Sequence, residues 1–282
     1  MAEAAERLHK RLAQAGCGSR RAIEEWIRAG RITVNGQLAQ VGASVASGDV
    51  VCIDGKAVNW EHALSPSLRV LIYNKPSGEV CTRSDPEGRA TVFDRLPRVE
   101  GRWVAVGRLD FTTLGLLLFT NDGELAHRLM HPSSGLEREY AVRVLGQVDA
   151  AMLRRLQEGV LLEDGSAHFD TILDAGGQGS NHWYHVIVRE GRNREVRRLW
   201  ESQGVAVSRL MRVRYGPITL PKGLLPGRYR ELDEKELNIL LTAAGMAKAE
   251  ITPKSKSRTP QRRTSTLRKP SAPRRKSLAR RS

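Results

Sequence analysis

An apolar strand pattern, Val104 to Val106, runs into Gly107-Arg108-Leu109-Asp110, and a second apolar strand pattern opens only four residues later. The arrangement recurs along the chain. Strand-forming segments fall at Val70–Asn74, Trp103–Val106, Leu116–Thr120, Tyr140–Val144, Trp183–Val188 and Val207–Val213. Helical spacing appears at Glu124–Met130, Asp149–Glu158, Arg194–Ser202 and Asp233–Ala244, the last opening on the capping-box pattern Asp233-x-x-Glu236. Several strands follow one another with no helix between them. That excludes a doubly wound fold and predicts an α+β domain built on a mixed sheet. The segment has no internal repeat and no glycine-rich phosphate loop of the Walker or dinucleotide type.

Upstream, to about Asn59, the pattern is different. Leu8 and Leu12, with Ala13 and Ala15, form one helical face ending at Gly16; Ser19 can cap a second helix, in which Ile23, Trp26 and Ile27 recur before Gly30 stops it. Asn35-Gly36 between Ile32-Thr33-Val34 and Gln37-Leu38 signals a two-residue hairpin. Two helices and a small sheet therefore make a module of about sixty residues. Arg7, Lys10, Arg11, Arg20, Arg21, Arg28 and Arg31 crowd its helical half, opposed there by Glu24 and Glu25. On charge alone, this is equally a solvated surface or a phosphate-binding face.

The formal net charge is +15, but residues 250–282 hold twelve Lys/Arg against Glu250, leaving +4 on the remaining 249 residues. This Ser/Thr/Pro/Lys/Arg tail has too little apolar surface to offset chain entropy, so it is expected to be disordered in isolation. It reads as a sequence-independent RNA tether or as a solubilising tail. No apolar run reaches the eighteen or so residues of a membrane span, and the N-terminus lacks a signal-peptide pattern, so a cytoplasmic protein is expected. Cys17, Cys52 and Cys81 form no CxxC pair and read as reduced thiols. His127-x-x-x-His131 lacks the glutamate of HExxH and an evident third ligand, so no metal site is expected.

Read from the residues alone, Asp110 sits on a turn at a strand end, with Arg108 facing the same way if the strand continues. Tyr140 lies in the alternating strand Glu137-Arg138-Glu139-Tyr140-Ala141-Val142-Arg143-Val144. Val196, Leu199 and Trp200 define the buried face of a helix, which puts Arg197 on the edge of that face and Arg194 and Arg198 toward solvent or phosphate. Each of these also has a plain structural reading as a turn residue, a packing aromatic or a surface arginine.

The stretch from Arg7 to Gly36, with its paired arginines after Ser19 and its Gly30-to-Gly36 hairpin, resembles the S4 RNA-binding domain. Gly107–Asp110 resembles the signature of the RsuA and RluA groups of pseudouridine synthases. Leu71–Gly78, Arg138-Glu139-Tyr140 and Glu190–Arg198 resemble three further motifs of that family, in the same order. The resemblance implies an S4 domain over residues 6–62, a catalytic domain over 68–248 and a tail over 249–282. It implies isomerisation of a uridine: uracil leaves C1′, rotates and rejoins through C5, with no cofactor. Asp110 would be the nucleophile, attacking either C6 or C1′. Arg197 would be its basic partner in a guanidinium–carboxylate fork, keeping it ionised. Tyr140 would stack on the extruded base and help remove the C5 proton. Arg108 would contact RNA or fill the space vacated by the base; Arg194, Arg198 and the basic S4 residues would contact RNA, and Lys75 and Pro76 would shape the pocket. The segments Cys81–Pro97, Leu136–Asp149 and Glu190–Glu201 most resemble the RluB type, which implies 23S ribosomal RNA as partner, uridine 2605 as target, and a monomer. Alternatives are a sister synthase acting on another 23S or 16S uridine, and a catalytically silent S4-containing assembly factor. Phe111-Thr112-Thr113-Leu114 follow Asp110 where relatives often carry an Asn and a small hydroxyl or thiol residue before the glycine; Leu114 at that small position bears on packing behind the catalytic loop and on substrate fit.

Overall fold

The computed structural model describes residues 5–60, 67–178 and 181–247, so the basic tail lies outside the described residues. In the N-terminal module, helices α1 (Leu8–Gln14) and α2 (Arg20–Arg28) pack over a four-stranded sheet of Gln37–Leu38, Ile32–Val34, Val51–Ile53 and Lys56–Ala57. The Ser19 side chain accepts from Ala22 N at 3.0 Å and caps α2. Asn35 (φ 51°) and Gly36 (φ 80°) both take the left-handed conformation that a type I′ hairpin needs. Leu8, Leu12, Ile23, Ile27, Ile32, Val45, Val51 and Trp60 form the module's core.

Nine strands build the main sheet, which is mixed as expected. In chain order the labelled elements are β1 (Val70–Lys75), β2 (Val104–Val106), β3 (Leu114–Thr120), α3 (Gly123–Met130), β4 (Arg138–Leu145), α4 (Ala150–Glu158), β5 (Thr171–Gln178), β6 (Asn181–Val188), α5 (Glu195–Glu201), β7 (Ala206–Tyr215), β8 (Ile218–Thr219), β9 (Tyr229–Glu231) and α6 (Glu234–Ala243). The order across the sheet is β5-β6-β4-β7-β3-β1-β9, with β2 also on β3 and β8 also on β7. All neighbours are antiparallel except β7 and β3, which run parallel through two residue pairs, Met211–Leu114 and Arg212–Gly115. Gly115 has φ +99°, and a Cβ there would lie 2.3 Å from the Arg212 carbonyl oxygen. Only glycine lets the two strands meet.

Each half of the sheet has its own core. Around β1 and β3, alternate residues serve opposite faces: Val70, Ile72, Leu116 and Leu118 pack under α3 and α6, whereas Leu71, Tyr73, Leu117 and Phe119 meet Val92, Trp103 and Leu109. Strand β1 is accordingly buried along its whole length. Around β4, β6 and β7, Val142, Val144, Tyr184, Val186 and Leu210 pack with Val196, Leu199 and Trp200 of α5. The Asp233 capping box at α6 is present as expected. Strand β5 was not anticipated: its Gly176-Gly177 pair interrupts the apolar alternation where its pairing with β6 shifts register. Among the described residues, no helix is long and apolar enough to cross a membrane, and the three cysteines are free.

Candidate active site

Asp110 owes its position to its neighbours. Strand β2 ends at Val106, and Gly107 (φ +78°) turns the chain. The strand therefore does not continue, so strand alternation does not relate Arg108 to Asp110; Arg108 is exposed and Asp110 half-buried, and both line one cleft. Leu109 is buried in the core beneath β1 and β3, and Cys81 Sγ both donates to its carbonyl (3.2 Å) and accepts from its N–H (3.4 Å). A tight turn follows, with Thr113 N donating to the Asp110 carbonyl at 3.0 Å. Thr113 Oγ1 lies 3.4 Å from the carboxylate as a long hydrogen-bond donor.

The turn is tied down from below by Lys75. This side chain is fully buried, and its ammonium donates to the carbonyls of Pro76 (3.0 Å), Phe111 (3.3 Å) and Thr113 (3.0 Å). An ammonium has three donors, and all three are used. Burial pushes its pKa down, while Cys81, Glu79 and Asp110 oppose that shift. A lysine expected to shape the pocket thus does so by clamping the loop on both sides of Thr112.

Arg197 is buried on α5, but it does not form the expected fork. No ion pair within 4.0 Å joins it to Asp110. One Nη donates to the Val207 carbonyl at 2.9 Å and the other to Thr112 Oγ1 at 3.2 Å. One donor from each Nη thus goes to the next strand and to a residue of the Asp110 turn, while Nε is buried without a partner, so Arg197 touches that turn at one remove. Burial lowers its pKa and Arg194 adds to the effect, whereas Asp110 and Glu201 oppose it.

Tyr140 is half-buried on β4, packs against the cores of both half-sheets, and lies opposite Arg212 of β7 and Val186 of β6. Asp110, Tyr140, Arg108, Arg194, Cys81 and Arg212 all line one cleft of about 1510 Å³. That exceeds the roughly 300–1,000 Å³ of ordinary small-molecule sites and suits a polymer segment. Eight arginines line it against four carboxylates, a balance that attracts polyanions.

Several cleft residues escaped the sequence reading. Arg138 is buried and donates to the carbonyls of Leu136 (2.9 Å) and Arg189 and to Tyr215 Oη (3.3 Å). Arg212, also buried, donates through Nε to the Leu116 carbonyl at 2.8 Å. Both guanidinium groups lie 5.0 Å from the Tyr215 ring centroid. Glu195 is buried at the start of α5; burial and the nearby Glu190 raise its pKa against the opposing pull of Arg192 and Arg138. Burial of such charges depends on distant packing, for which the sequence carried no local signal.

The expected RNA-contacting arginines divide into two groups. Arg20 and Arg21, exposed at the start of α2, and Arg108 at the cleft make no ion pair among the described residues. The others are engaged. Glu6 pairs with Lys10 (3.1 Å) and Arg11 (2.9 Å), and Glu24 with Arg28 (3.7 Å). Asp54 takes Arg31 through two bonds, and Arg7 donates to the Gly42 carbonyl. The helical face is thus opposed by Glu6 and Asp54 as well as by the anticipated acids. On α5, Arg198 forms a two-bond fork with Asp164 (2.8 Å each), and Arg194 pairs with Glu201 at 3.3 Å.

Residues 69–202 match the family described as RNA pseudouridylate synthase, and residues 6–51 match the S4 domain. The chain is 60% identical over 243 residues to ribosomal large subunit pseudouridine synthase B of Pseudomonas aeruginosa, covering 86% of this chain and 63% of that protein. It is 61% identical over 244 residues to the protein of the same name in Haemophilus influenzae, covering 86% and 68%. With the Escherichia coli K12 protein of that name it shares 60% over 238 residues, covering 83% and 82%. A crystal structure described as pseudouridylate synthase superposes with a TM-score of 0.58 at 26% identity, covering 83% of this chain and 99% of that one.

Proposed function

The chain belongs to the RNA pseudouridylate synthase family, and from that premise we propose that it converts a uridine of 23S ribosomal RNA to pseudouridine, at position 2605. The relatives' names concern the large ribosomal subunit, which supports the RNA class; the position rests on the RluB-type motifs. Asp110 is the nucleophile. Its attack, on C6 or C1′, forms an ester bond, and the N1–C1′ bond breaks. The base turns and C5 bonds to C1′; the Asp110 ester bond breaks to return the free carboxylate, and the C5 proton leaves as N1 gains one. No electron is gained or lost, so the chemistry needs positioning and charge, not a redox group.

Asp110 on a loop pinned by a buried ammonium, at the wall of an arginine-rich cleft, is the observation that carries this reading. Tyr140 supplies the aromatic face for the extruded uracil. Arg197 acts as a positioning residue through Thr112. Arg20, Arg21 and Arg108 make the free cationic contacts to phosphate. The protein works as a cytoplasmic monomer.

The test is carbodiimide mapping of pseudouridine in ribosomal RNA from a strain lacking the gene, complemented with wild type or Asp110→Asn. Wild type should restore one modified uridine in 23S RNA and the variant none. Restoration by Asp110→Asn would overturn the mechanism, and restoration at a 16S uridine would overturn the substrate.

A further inference from the structure

Phe111 immediately follows the proposed nucleophile and is 44% exposed. Among the described residues it is the exposed phenylalanine; Phe93 is half-buried, and Phe119 and Phe169 are fully buried. Its backbone is held firmly. The Phe111 carbonyl accepts from Gly78 N at 2.9 Å and from the Lys75 ammonium at 3.3 Å. Beyond the ring lies Arg89, with its guanidinium 5.9 Å from the ring centroid. Arg89 is itself fixed by Asp85 through bonds of 2.8 and 3.0 Å, and both residues line the cleft. An exposed apolar ring is thus held on a rigid mount, beside a fixed cation of the cleft and next to the carboxylate proposed to react. Water is a poor partner for that face, whereas every nucleobase offers a flat one.

We propose that Phe111 is a stacking platform for the nucleobase adjoining the target uridine, holding open the gap left when the target is extruded. The assignment rests on the synthase reading above, and the two fail differently.

The experiment uses the full chain and a synthetic hairpin carrying the uridine mapped as its target. Two further hairpins carry an abasic residue on the 5′ or the 3′ side of that uridine. Binding is followed by fluorescence, and reaction by tritium release from 5-tritiated uridine. Phe111→Ala should weaken binding of the intact hairpin about tenfold to a hundredfold, the range expected for loss of one base–aromatic stack. Phe111→Trp should bind like wild type. On one abasic hairpin, wild type and Phe111→Ala should converge, because the partner base is already gone. An equal loss on all three hairpins, or none on the intact one, would overturn the platform. A shift in sedimentation of the RNA-free protein on Phe111→Ala would assign the ring to contact between copies and also overturn it. If the Phe111-dependent binding pattern appears but the wild type releases no tritium, the synthase reading falls and the stacking contact stands.

Discussion

Lys75→Met replaces the clamp beneath the Asp110 turn with a side chain of similar length and no charge. Three carbonyls lose their shared donor, but Phe111 keeps the Gly78 N–H. The carbonyls of Pro76 and Thr113 are left without that partner, at about 1–3 kcal/mol each, or roughly 2–6 kcal/mol together. Removing the buried ammonium also removes its desolvation cost, the same burial that pushes the Lys75 pKa down. The net loss of stability should therefore be about 2–4 kcal/mol, measurable as a lower urea midpoint at unchanged slope. Activity should fall further than stability. Under conditions where the variant remains folded, single-turnover tritium release should drop at least about a hundredfold, because misplacement of a catalytic group by about 1 Å has that cost. RNA affinity should fall by no more than Phe111→Ala lowers it, because the arginines are untouched while the clamp also holds the Phe111 carbonyl. A variant within about 0.5 kcal/mol of wild type and of normal turnover rate would refute the clamp.

Asp110→Asn should bind the substrate hairpin within a few-fold of wild type while forming no pseudouridine, since binding and chemistry use different groups; a large loss of affinity in filter binding would contradict that division. Glu195→Gln tests the buried carboxyl. Its folded pKa is raised, so the folded state binds the extra proton, and the stability this gives is full below the unfolded pKa and lost as pH rises through the folded one. The variant should therefore gain on wild type in thermal melts as pH rises from 4 to 8; a gain confined to the acid end would reverse the sign and sink the reasoning. Deleting residues 250–282 removes twelve basic residues and should flatten the dependence of log affinity on log salt, leaving the modified uridine the same; an unchanged slope would rule out the tether.

The elements that the sequence revealed are those with local causes. Ser19, Asn35-Gly36 and the Asp233–Glu236 pair act within four residues of themselves, so their structures followed from short patterns. Strands β1, β3, β4, β6 and β7 were found through their apolar content, with ends extended by neighbours on the sheet. Strand β5 escaped because its pairing is decided by β6, not by its own Gly-Gly sequence. At the site, Asp110 and Tyr140 were legible through motifs, and both line the cleft. The fork expected between Arg197 and Asp110 is absent: helical periodicity places a residue on a face but cannot say that Val207 and Thr112 will each take one of its donors. The same limit holds for Arg198 with Asp164 and Arg31 with Asp54, partners 34 and 23 residues away.

The two-residue parallel junction at Gly115 carries a mechanical consequence. Asp110, Lys75 and Phe111 belong to the half-sheet of β1 and β3, while Tyr140, Arg197 and Arg212 belong to the half-sheet of β4 and β7 and its helix. Nucleophile and stacking face are thus mounted on separate jaws, and their alignment is referenced through Met211–Leu114 and Arg212–Gly115. A methyl group at position 115 would meet the Arg212 carbonyl at 2.3 Å and act as a shim, throwing the jaws out of true while leaving every reacting group intact.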